Sequence, residues 1–236
     1  MTPDGALSGR LALVTGALGN LGPVWTAALA GAGATVVGVD VRKDDGVLQA
    51  DVTDRAALER VLAETGTPAV LVNNAGIDAP PGAEAGDFSR TLEVNVTGLY
   101  NATEVFGEAM CAAGGGSIVN IGSLYASVAP IPAFYDHLDP PFTKPAAYGA
   151  SKAAVVNLTR HFARLWGRHG VRVNALSPGG VLGSQDPEFV RKYSERVPLG
   201  RMADPSDLVG ALLFLASDAS AYVTGQELRV DGGFTA

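Results

Sequence analysis

Short apolar runs alternate with longer, helix-compatible segments along most of this chain. Apolar runs of about four to eight residues without polar alternation are typical of strands buried on both faces of a sheet. We predict seven such strands, near residues 10–15, 34–40, 47–50, 69–73, 116–122, 171–176 and 226–230. Strands that alternate with helices favour a doubly wound α/β domain, in which a mostly parallel sheet carries helices on both faces. We expect residues 1–236 to form this one domain.

A glycine-rich turn follows the first predicted strand. The apolar run Arg10–Val14 leads into Thr15–Gly22 (TGALGNLG), and the Ala-rich segment Pro23–Gly31 that comes next is compatible with a helix. Between a strand and a helix, such a turn is typical of a dinucleotide site, because glycine lets the backbone approach a pyrophosphate and the helix N-terminus offers N–H groups. Glycine turns also occur there without a ligand. We predict dinucleotide contacts from Gly16, Gly19, Asn20, Leu21 and Gly22.

The second predicted strand, within Ala34–Val39, is followed directly by Asp40. A carboxylate in this position accepts hydrogen bonds from the adenosine ribose hydroxyls and repels a 2′-phosphate. Asp40 therefore predicts NAD rather than NADP as the cofactor. Arg42 is the nearby residue that could weaken this preference.

Tyr148 and Lys152 are four residues apart in a segment that suits a helix, so they lie on the same helix face. A neighbouring ammonium favours the phenolate and lowers the pKa of a tyrosine. Lowering that pKa from ~10 to about 7 takes roughly 4 kcal/mol, at about 1.4 kcal/mol per unit. A second cation, such as an oxidised nicotinamide, would supply part of this stabilisation of the phenolate. The same spacing occurs on solvated helix faces, so the pair gains its meaning from the other motifs.

Further motifs follow the later strands. These are Asp51-Val52 after the third strand, Asn73-Asn74-Ala75-Gly76 after the fourth, Ser123 after the fifth, Pro178-Gly179 after the sixth and Val230-Asp231-Gly232-Gly233 after the seventh. With the glycine turn and the Tyr148–Lys152 pair, they resemble the ordered motifs of the short-chain dehydrogenase/reductase family in its compact form. The resemblance covers Arg10 to Phe234 and implies a single Rossmann-type domain.

The resemblance implies a catalytic tetrad of Asn95, Ser123, Tyr148 and Lys152. Tyr148 would exchange the proton of the substrate hydroxyl, and Lys152 would lower the pKa of Tyr148 and hold the nicotinamide ribose. Ser123 would bind the substrate oxygen, and Asn95 would orient a water in a proton relay. Further cofactor contacts are expected from Asp51, Val52, Asn74, Ala75, Gly76, Pro178, Gly179 and Val181. The family also implies a homotetramer, with a dimer as the alternative.

The chain departs from the family pattern in three places. Asn20 replaces the middle glycine of the turn, and we expect it to adopt the positive φ that asparagine tolerates. Only ten residues separate Asp40 from Asp51, too few for the usual helix between the second and third strands. The segment between Ser123 and Tyr148, residues 124–147, is longer than is usual in the family. We expect it to form part of the substrate-pocket wall, opposite a substrate lid at residues 180–200.

Composition narrows the possible partners. A net charge of −7 with dispersed Lys and Arg disfavours nucleic acid and anionic membrane surfaces. No apolar run approaches the ~20 residues that span a bilayer.

The single cysteine, Cys111, fits a reducing compartment, and we expect a cytoplasmic protein. His137 with Asp136 and Asp139 nearby suggests a metal site. The segment is rich in proline and offers no third clear ligand, so no metal is predicted.

These observations predict an NAD-dependent oxidoreductase that moves a hydride between nicotinamide and a secondary alcohol or its ketone. The pattern is most similar to family members that act on polar, sugar-like or polyol substrates. An NADPH-dependent ketone or 3-oxoacyl reductase is the enzymatic alternative, and Asp40 argues against it. A protein that senses NAD without turnover is the non-enzymatic alternative, and it would have no need of the tetrad.

Overall fold

Seven strands form one sheet in the order β3-β2-β1-β4-β5-β6-β7, and each neighbouring pair runs parallel. This computed structural model describes residues 5–79, 88–140 and 142–236. The strands are β1 (Leu11–Thr15), β2 (Thr35–Asp40), β3 (Val47–Gln49), β4 (Val70–Asn73), β5 (Gly116–Ile121), β6 (Val171–Pro178) and β7 (Glu227–Val230). The predicted Rossmann-type, doubly wound α/β fold is confirmed.

Helices connect most of the strands. They are α1 (Gly22–Gly31), α2 (Arg55–Thr65), α3 (Phe88–Leu92), α4 (Leu99–Ala113), α5 (Ala146–Trp166), α6 (Pro187–Arg196) and α7 (Val209–Ala216). A π-helix, Glu93–Gly98, joins α3 to α4. Among the described residues, no helix is both long and apolar enough to cross a membrane.

Each face of the sheet is covered by its own hydrophobic layer. Along β1, Leu13 points into the layer of α2, α4 and α5, which includes the buried rings of Phe106 and Phe162. Ala12 and Val14 point into the opposite layer, which α1 and α7 supply. This alternation follows from the two-residue period of a strand, and burial on both faces explains why the strands are almost purely apolar.

The strand order reverses beside β1, which pairs with β2 on one side and with β4 on the other. In a parallel sheet, such a reversal opens a crevice at the carboxyl ends of the strands, where ligands bind. Thr15, Asp40, Asn73 and Ile121 all end strands at this edge. The predicted site residues follow these positions along the chain, so the fold brings them to one edge of the sheet.

A chain of buried hydrogen bonds crosses the sheet into α4 and α5. Asn73 Nδ2 donates to Thr103 Oγ1 and to Asn120 Oδ1, both at 2.9 Å. Asn120 Nδ2 donates to Thr159 Oγ1 at 2.9 Å, and that hydroxyl donates to the carbonyl oxygen of Val155, also at 2.9 Å. This amide–hydroxyl chain fixes α5 relative to the ends of β4 and β5.

The link between β2 and β3 contains no helix, as the ten-residue spacing predicts. Residues 41–46 cross in a turn, and β3 is only three residues long. Val41 remains 58% exposed at this side of the sheet. The flank is therefore thinly covered, as expected from the sequence.

Residues 124–147 pack against α6 through aromatic rings; residue 141 lies outside the described part of the chain. The ring of Phe134 lies 5.9 Å from that of Phe189 and 5.5 Å from that of Tyr193, measured between centroids. Tyr135 lies 5.2 Å from Phe189. We call this group the insertion–lid cluster; its buried members are Leu124, Phe134, Tyr135, Phe189, Tyr193, Val197 and Met202.

Polar contacts join the same two segments. His137 Nε2 lies 2.9 Å from Asp186 Oδ1, and that carboxylate also caps α6 by accepting from the backbone N–H groups of Glu188 and Phe189. Lys192 of α6 pairs with Asp136. Asp136 and His137 of the insertion thus hold α6 and its N-cap.

A methyl group at Gly107 of α4 would lie 2.2 Å from Cζ3 of Trp166. We therefore expect Gly107→Ala to lower the free energy of unfolding by about 1–3 kcal/mol, because the indole has to shift within a packed core. Chemical denaturation measures the change.

Gly210→Ala is the matched control, because a methyl group there meets no heavy atom within 4 Å and Gly210 also lies in a helix. It should leave the stability unchanged or raise it by up to about 1 kcal/mol. Equal effects of the two substitutions would contradict the tight contact between α4 and α5.

Candidate active site

The glycine turn packs directly against the segment that follows β4. Gly16 has a φ of +65°, and a Cβ there would lie 2.7 Å from Cα of Ala75. A Cβ at Gly22 would lie 2.3 Å from the carbonyl oxygen of Ala17. Both positions therefore require glycine for a close backbone approach, as the sequence predicts.

Asn20 lies in this turn without a left-handed conformation, since no non-glycine residue of the described chain has a positive φ. The expectation that Asn20 adopts a positive φ is therefore wrong. Of the turn residues, Gly16 supplies the positive φ, and the turn then closes through hydrogen bonds from Gly19 N to the Gly16 carbonyl and from Gly22 N to the Gly19 carbonyl. The replacement of the middle glycine by Asn20 therefore introduces no backbone strain into the turn.

The N-terminus of α1 suits an anion such as a pyrophosphate. It has no side-chain cap and no acidic residue in its first turn. Within residues 5–79, 88–140 and 142–236, the backbone N–H groups of Asn20 and Leu21 meet no acceptor. Free N–H groups at a helix N-terminus attract phosphates. The turn therefore fits the phosphates of a dinucleotide, with Asn20 and Leu21 as the donors.

Asp40 lies at the end of β2 and is almost fully buried. Its Oδ2 accepts from Leu18 N at 3.0 Å, and its Oδ1 accepts from Arg42 N at 3.0 Å and from Arg42 Nε at 3.2 Å. Burial raises the pKa of Asp40, but the hydrogen bonds from Arg42 and Leu18 outweigh it and hold that pKa below its usual value. Asp40 is thus a fixed carboxylate beside the glycine turn.

Asp51 and Val52 follow β3 with different surroundings. Asp51 Oδ1 accepts from the backbone N–H and the hydroxyl of Thr53, at 2.9 and 2.8 Å. Val52 is buried, and a Cβ at Gly98 would lie 2.4 Å from its Cγ2. The side chain of Val52 therefore packs in the core beside the π-helix, so any cofactor contact there falls to its backbone.

Asn74 holds the glycine turn with both ends of its amide. Its Nδ2 donates to the carbonyl oxygen of Gly16 at 2.8 Å, and its Oδ1 accepts from Trp25 Nε1 at 2.8 Å. Ala75 N donates to Thr15 Oγ1 at 3.2 Å. The side chain of Asn74 thus positions the turn through both ends of its amide.

Asn95 lies in the π-helix and is buried. Its Oδ1 accepts from Ile77 N at 2.7 Å, and its Nδ2 donates to the Ile77 carbonyl at 2.9 Å and to Ser151 Oγ at 3.0 Å. A Cβ at Gly76 would lie 3.2 Å from Asn95 Oδ1 and 3.8 Å from Lys152 Nζ. The segment after β4 is therefore brought next to both Asn95 and Lys152.

Tyr148 and Lys152 lie on α5, and Ser123 follows β5. Lys152 Nζ is 5.6 Å from the centroid of the Tyr148 ring and donates to the Ile121 carbonyl at 2.8 Å. Burial lowers the pKa of Lys152 to about 8. Burial also raises the pKa of Tyr148, and a hydrogen bond with Ser123 acts in the opposite direction. Without a bound cofactor, burial therefore holds the pKa of Tyr148 above its usual value.

Pro178 ends β6, and the turn after it is fixed from both sides. Gly179 N donates to the Val230 carbonyl at 2.9 Å, and a Cβ at Gly179 would lie 2.8 Å from Cα of Asp231. Val181 forms a bridge with Ala203. The turn that resembles the nicotinamide-side segment of the family therefore rests on the C-terminal signature.

Sequence reasoning missed an ion pair beside Tyr148. Lys144 Nζ donates to Asp78 Oδ2 at 2.5 Å. The same nitrogen is 5.2 Å from the ring centroid of Tyr148 and 5.7 Å from that of Tyr125. The sequence carries no spacing signal for this pair, because Asp78 and Lys144 are 66 residues apart and Lys144 precedes α5.

The lowered pKa of Lys152 predicts that the free energy of unfolding changes with pH. Between about pH 8 and its usual pKa of 10.5, the lysine is protonated in the unfolded chain and neutral in the folded one. Its contribution should raise the free energy of unfolding by roughly 2 kcal/mol between about pH 8 and about pH 10. Urea denaturation of the wild type and of Lys152→Met across this range isolates that contribution. Parallel pH curves for the two proteins would show that Lys152 is not desolvated.

The chain is similar to known proteins over nearly its whole length. The family model described as enoyl-(acyl carrier protein) reductase matches residues 16–235. Galactitol 2-dehydrogenase (L-tagatose-forming) of Cereibacter sphaeroides is 37% identical over 254 residues, which cover 97% of this chain and 96% of that protein.

Two solved structures extend the likeness to the fold. A short chain dehydrogenase of Leptospira borgpetersenii with bound NAD⁺ has a TM-score of 0.88 and 32% identity, and the match covers 98% of this chain and 94% of that one. A gluconate 5-dehydrogenase of Burkholderia cenocepacia, in complex with NADP and tartrate, has a TM-score of 0.84 and 33% identity, with 98% of each chain covered. The motifs, the fold and these matches together show that the chain belongs to the short-chain dehydrogenase/reductase family of nicotinamide-dependent oxidoreductases.

Proposed function

We propose that the protein is an NAD-dependent dehydrogenase that interconverts a secondary alcohol and its ketone, with a polar, polyol-like substrate. The observation that carries this proposal is the convergence of Ser123, Tyr148 and Lys152 at the edge of the sheet that also holds the glycine turn. A site that binds a dinucleotide and can exchange a proton meets the two requirements of alcohol oxidation.

Tyr148 exchanges the proton of the substrate hydroxyl in this proposal. The nicotinamide, when bound, supplies the hydride acceptor or donor. Burial keeps Tyr148 protonated at neutral pH, which suits proton donation to a ketone. Removal of a proton from an alcohol needs positive charge beside the ring, and Lys152 lies there. Ser123, through its hydrogen bond to Tyr148, is placed to bind the same substrate oxygen.

Asn95 has the role of a positioning residue in this scheme. Its amide binds the backbone of Ile77 on both sides and thereby fixes the segment next to Lys152. A π-helix places an unusual backbone geometry at that point, and such bulges often occur at functional sites. We infer that Asn95 keeps a relay water beside Lys152.

The proposed cofactor is NAD. The buried, ionised Asp40 stands at the end of β2, where a carboxylate accepts from ribose hydroxyls and repels a 2′-phosphate. The solved relatives include one with NAD⁺ and one with NADP, so the family alone leaves this choice open. The remaining expected cofactor contacts are Gly16, Gly19, Asn20, Leu21, Gly22, Asp51, Val52, Asn74, Ala75, Gly76, Pro178, Gly179 and Val181.

A polyol-like substrate is supported by the likeness to galactitol 2-dehydrogenase and by the polar groups beside Tyr148. Residues 124–147 and 180–200 would form the wall and the lid of the substrate pocket, since they pack on each other next to Ser123 and Tyr148.

A homotetramer in the cytoplasm is the proposed assembly and location, with a dimer as the alternative. Leu165 of α5 is 56% exposed, and Tyr100 of α4 is also exposed, so both helices carry apolar surface that a second subunit would cover. The single cysteine, Cys111, fits a reducing compartment. Sedimentation of the purified protein measures the assembly.

Tyr148→Phe tests the proton exchange. It should lower kcat for a polyol about 10²- to 10⁴-fold, because the phenolic proton acceptor is lost while the ring is kept. The readout is NADH absorbance, with NAD-induced thermal stabilisation as the control for cofactor binding. A variant that binds NAD and turns over at the wild-type rate would exclude Tyr148 as the proton acceptor.

Asp40→Ala tests the cofactor preference. In the wild type, NAD at a hundredfold excess over its Kd should stabilise the fold by about 2.7 kcal/mol, and NADP should stabilise it much less. In the variant, the two cofactors should become similar, because the repulsion of the 2′-phosphate is removed. Thermal denaturation at matched concentrations measures both effects. Equal stabilisation of the wild type by NAD and NADP would rule out the role of Asp40 as a selector.

A further inference from the structure

The ion pair of Asp78 and Lys144 lies beside Tyr148 and plays no part in the proton exchange described above. The side chain of Lys144 is only 8% exposed, whereas that of Asp78 is 35% exposed. Asp78 Oδ2 accepts from Lys144 Nζ, and Asp78 Oδ1 accepts from Ala79 N at 2.9 Å. The pair joins the segment after β4 to the residues just before α5.

Lys144 has donors to spare. An ammonium carries three N–H donors, and within the described ranges Asp78 is the one hydrogen-bond acceptor that Lys144 meets. Its other neighbours are the faces of Tyr148 and Tyr125, at 5.2 and 5.7 Å from the ring centroids. Buried donors without an acceptor are costly. A bound oxygen atom would remove that cost.

Lys152 differs from Lys144 in this respect, although both ammonium groups lie within 6 Å of the Tyr148 ring centroid. Lys152 Nζ donates to the Ile121 carbonyl in the floor of the site. Lys144 comes from the insertion, on the side where Tyr125 meets the ring of Tyr148 edge-on at 6.4 Å. Lys152 and Lys144 therefore contact different groups beside the same ring.

The charge of Asp78 also acts on the tyrosine side chains around Lys144. It raises the pKa of Tyr148 and of Tyr125, although burial is the larger cause for each. It also raises the pKa of Tyr135, which lies deeper in the insertion and shares a hydrogen bond with Tyr125. A carboxylate that acts on these three phenols lies next to the region between them, where the substrate hydroxyl has to meet Tyr148.

We propose that Asp78 and Lys144 form a specificity-determining site for the hydroxyl on the carbon adjacent to the reacting carbinol. Lys144 donates a hydrogen bond to the oxygen of that hydroxyl, and Asp78 accepts a hydrogen bond from its O–H group. The reacting oxygen lies at Tyr148 and the neighbouring oxygen at the ammonium beside it. The substrate class is therefore a neutral vicinal diol, which is a refinement that rests on the proposed function.

The charge balance of the pair favours a neutral substrate over a hydroxy acid. A carboxylate that approaches Lys144 also approaches Asp78, so its attraction to the ammonium is offset by repulsion from the acid. A hydroxyl satisfies both groups at once, because it is a donor and an acceptor. A simple secondary alcohol satisfies neither and leaves the donors of Lys144 unpaired.

The test compares meso-2,3-butanediol with 2-butanol, which lacks the neighbouring hydroxyl, at saturating NAD. We expect kcat/KM of the wild type to favour the diol by about 10- to 100-fold, the range for hydrogen bonds to charged groups. Lys144→Met and Asp78→Asn should each reduce this ratio toward one, and Lys144→Arg should retain part of it. Arg10→Met is the control, because Arg10 also pairs with an acid, Asp218, but directly precedes β1 at the amino edge of the sheet, opposite the site, and should keep the ratio.

The outcomes separate this inference from the proposed function. Equal kcat/KM for the diol and 2-butanol in the wild type would overturn the inference and leave the dehydrogenase standing. An unchanged ratio in Lys144→Met would do the same. Absence of oxidation of either alcohol by the NAD-bound wild type would overturn both. If Lys144→Met does not fold in a thermal-melt control, the wild-type ratio and Lys144→Arg decide, and a ratio of one in the wild type rejects the site.

Discussion

The amide–hydroxyl chain that runs from Asn73 through Asn120 to Thr159 ties the end of β4 to the helix that carries Tyr148. Every polar group along it is buried, and loss of one partner would leave another unsatisfied. Asn73 is followed directly by Asn74, which holds the glycine turn by its carbonyl. Two consecutive residues, Asn73 and Asn74, therefore position both the helix that carries Tyr148 and the glycine turn.

Desolvation sets the electrostatics of the site more than charge pairing does. Burial is the largest cause of the raised pKa of Tyr148 and of the lowered pKa of Lys152. Both shifts disfavour the charged forms, so in the proposed reaction the charge of a bound cofactor would supply the final adjustment of the two pKa values. Strongly shifted groups that meet in a crevice are typical of active sites.

The fold was predictable because its signals are local. Buried strands such as Val70–Asn73 are nearly pure apolar runs, and the turn Thr15–Gly22 and the pair Tyr148–Lys152 each lie within ten residues of sequence. The short link after Asp40 was likewise readable from its length. The conformation of Asn20 was predicted wrongly, because the need for a positive φ was inferred from the missing glycine, whereas Gly16 supplies that φ in this turn.

The contacts that were missed are those that only the tertiary structure creates. Asp78 and Lys144 are 66 residues apart, and no spacing rule connects them. The π-helix at Asn95 was also not predicted, because its sequence suits an ordinary α-helix. The burial that raises the pKa of Tyr148 was likewise not readable from the sequence, because it depends on the tertiary packing around the ring.

The insertion–lid cluster has a consequence for changing what this enzyme accepts. Phe134 and Tyr135 of one segment share their burial with Phe189 and Tyr193 of the other, and ion pairs reinforce the contact. A segment transplanted alone from a relative would lose its packing partner and expose aromatic surface. Residues 124–147 and 180–200 therefore pack as one unit, and an exchange of the proposed pocket wall with that of a relative should move both segments together.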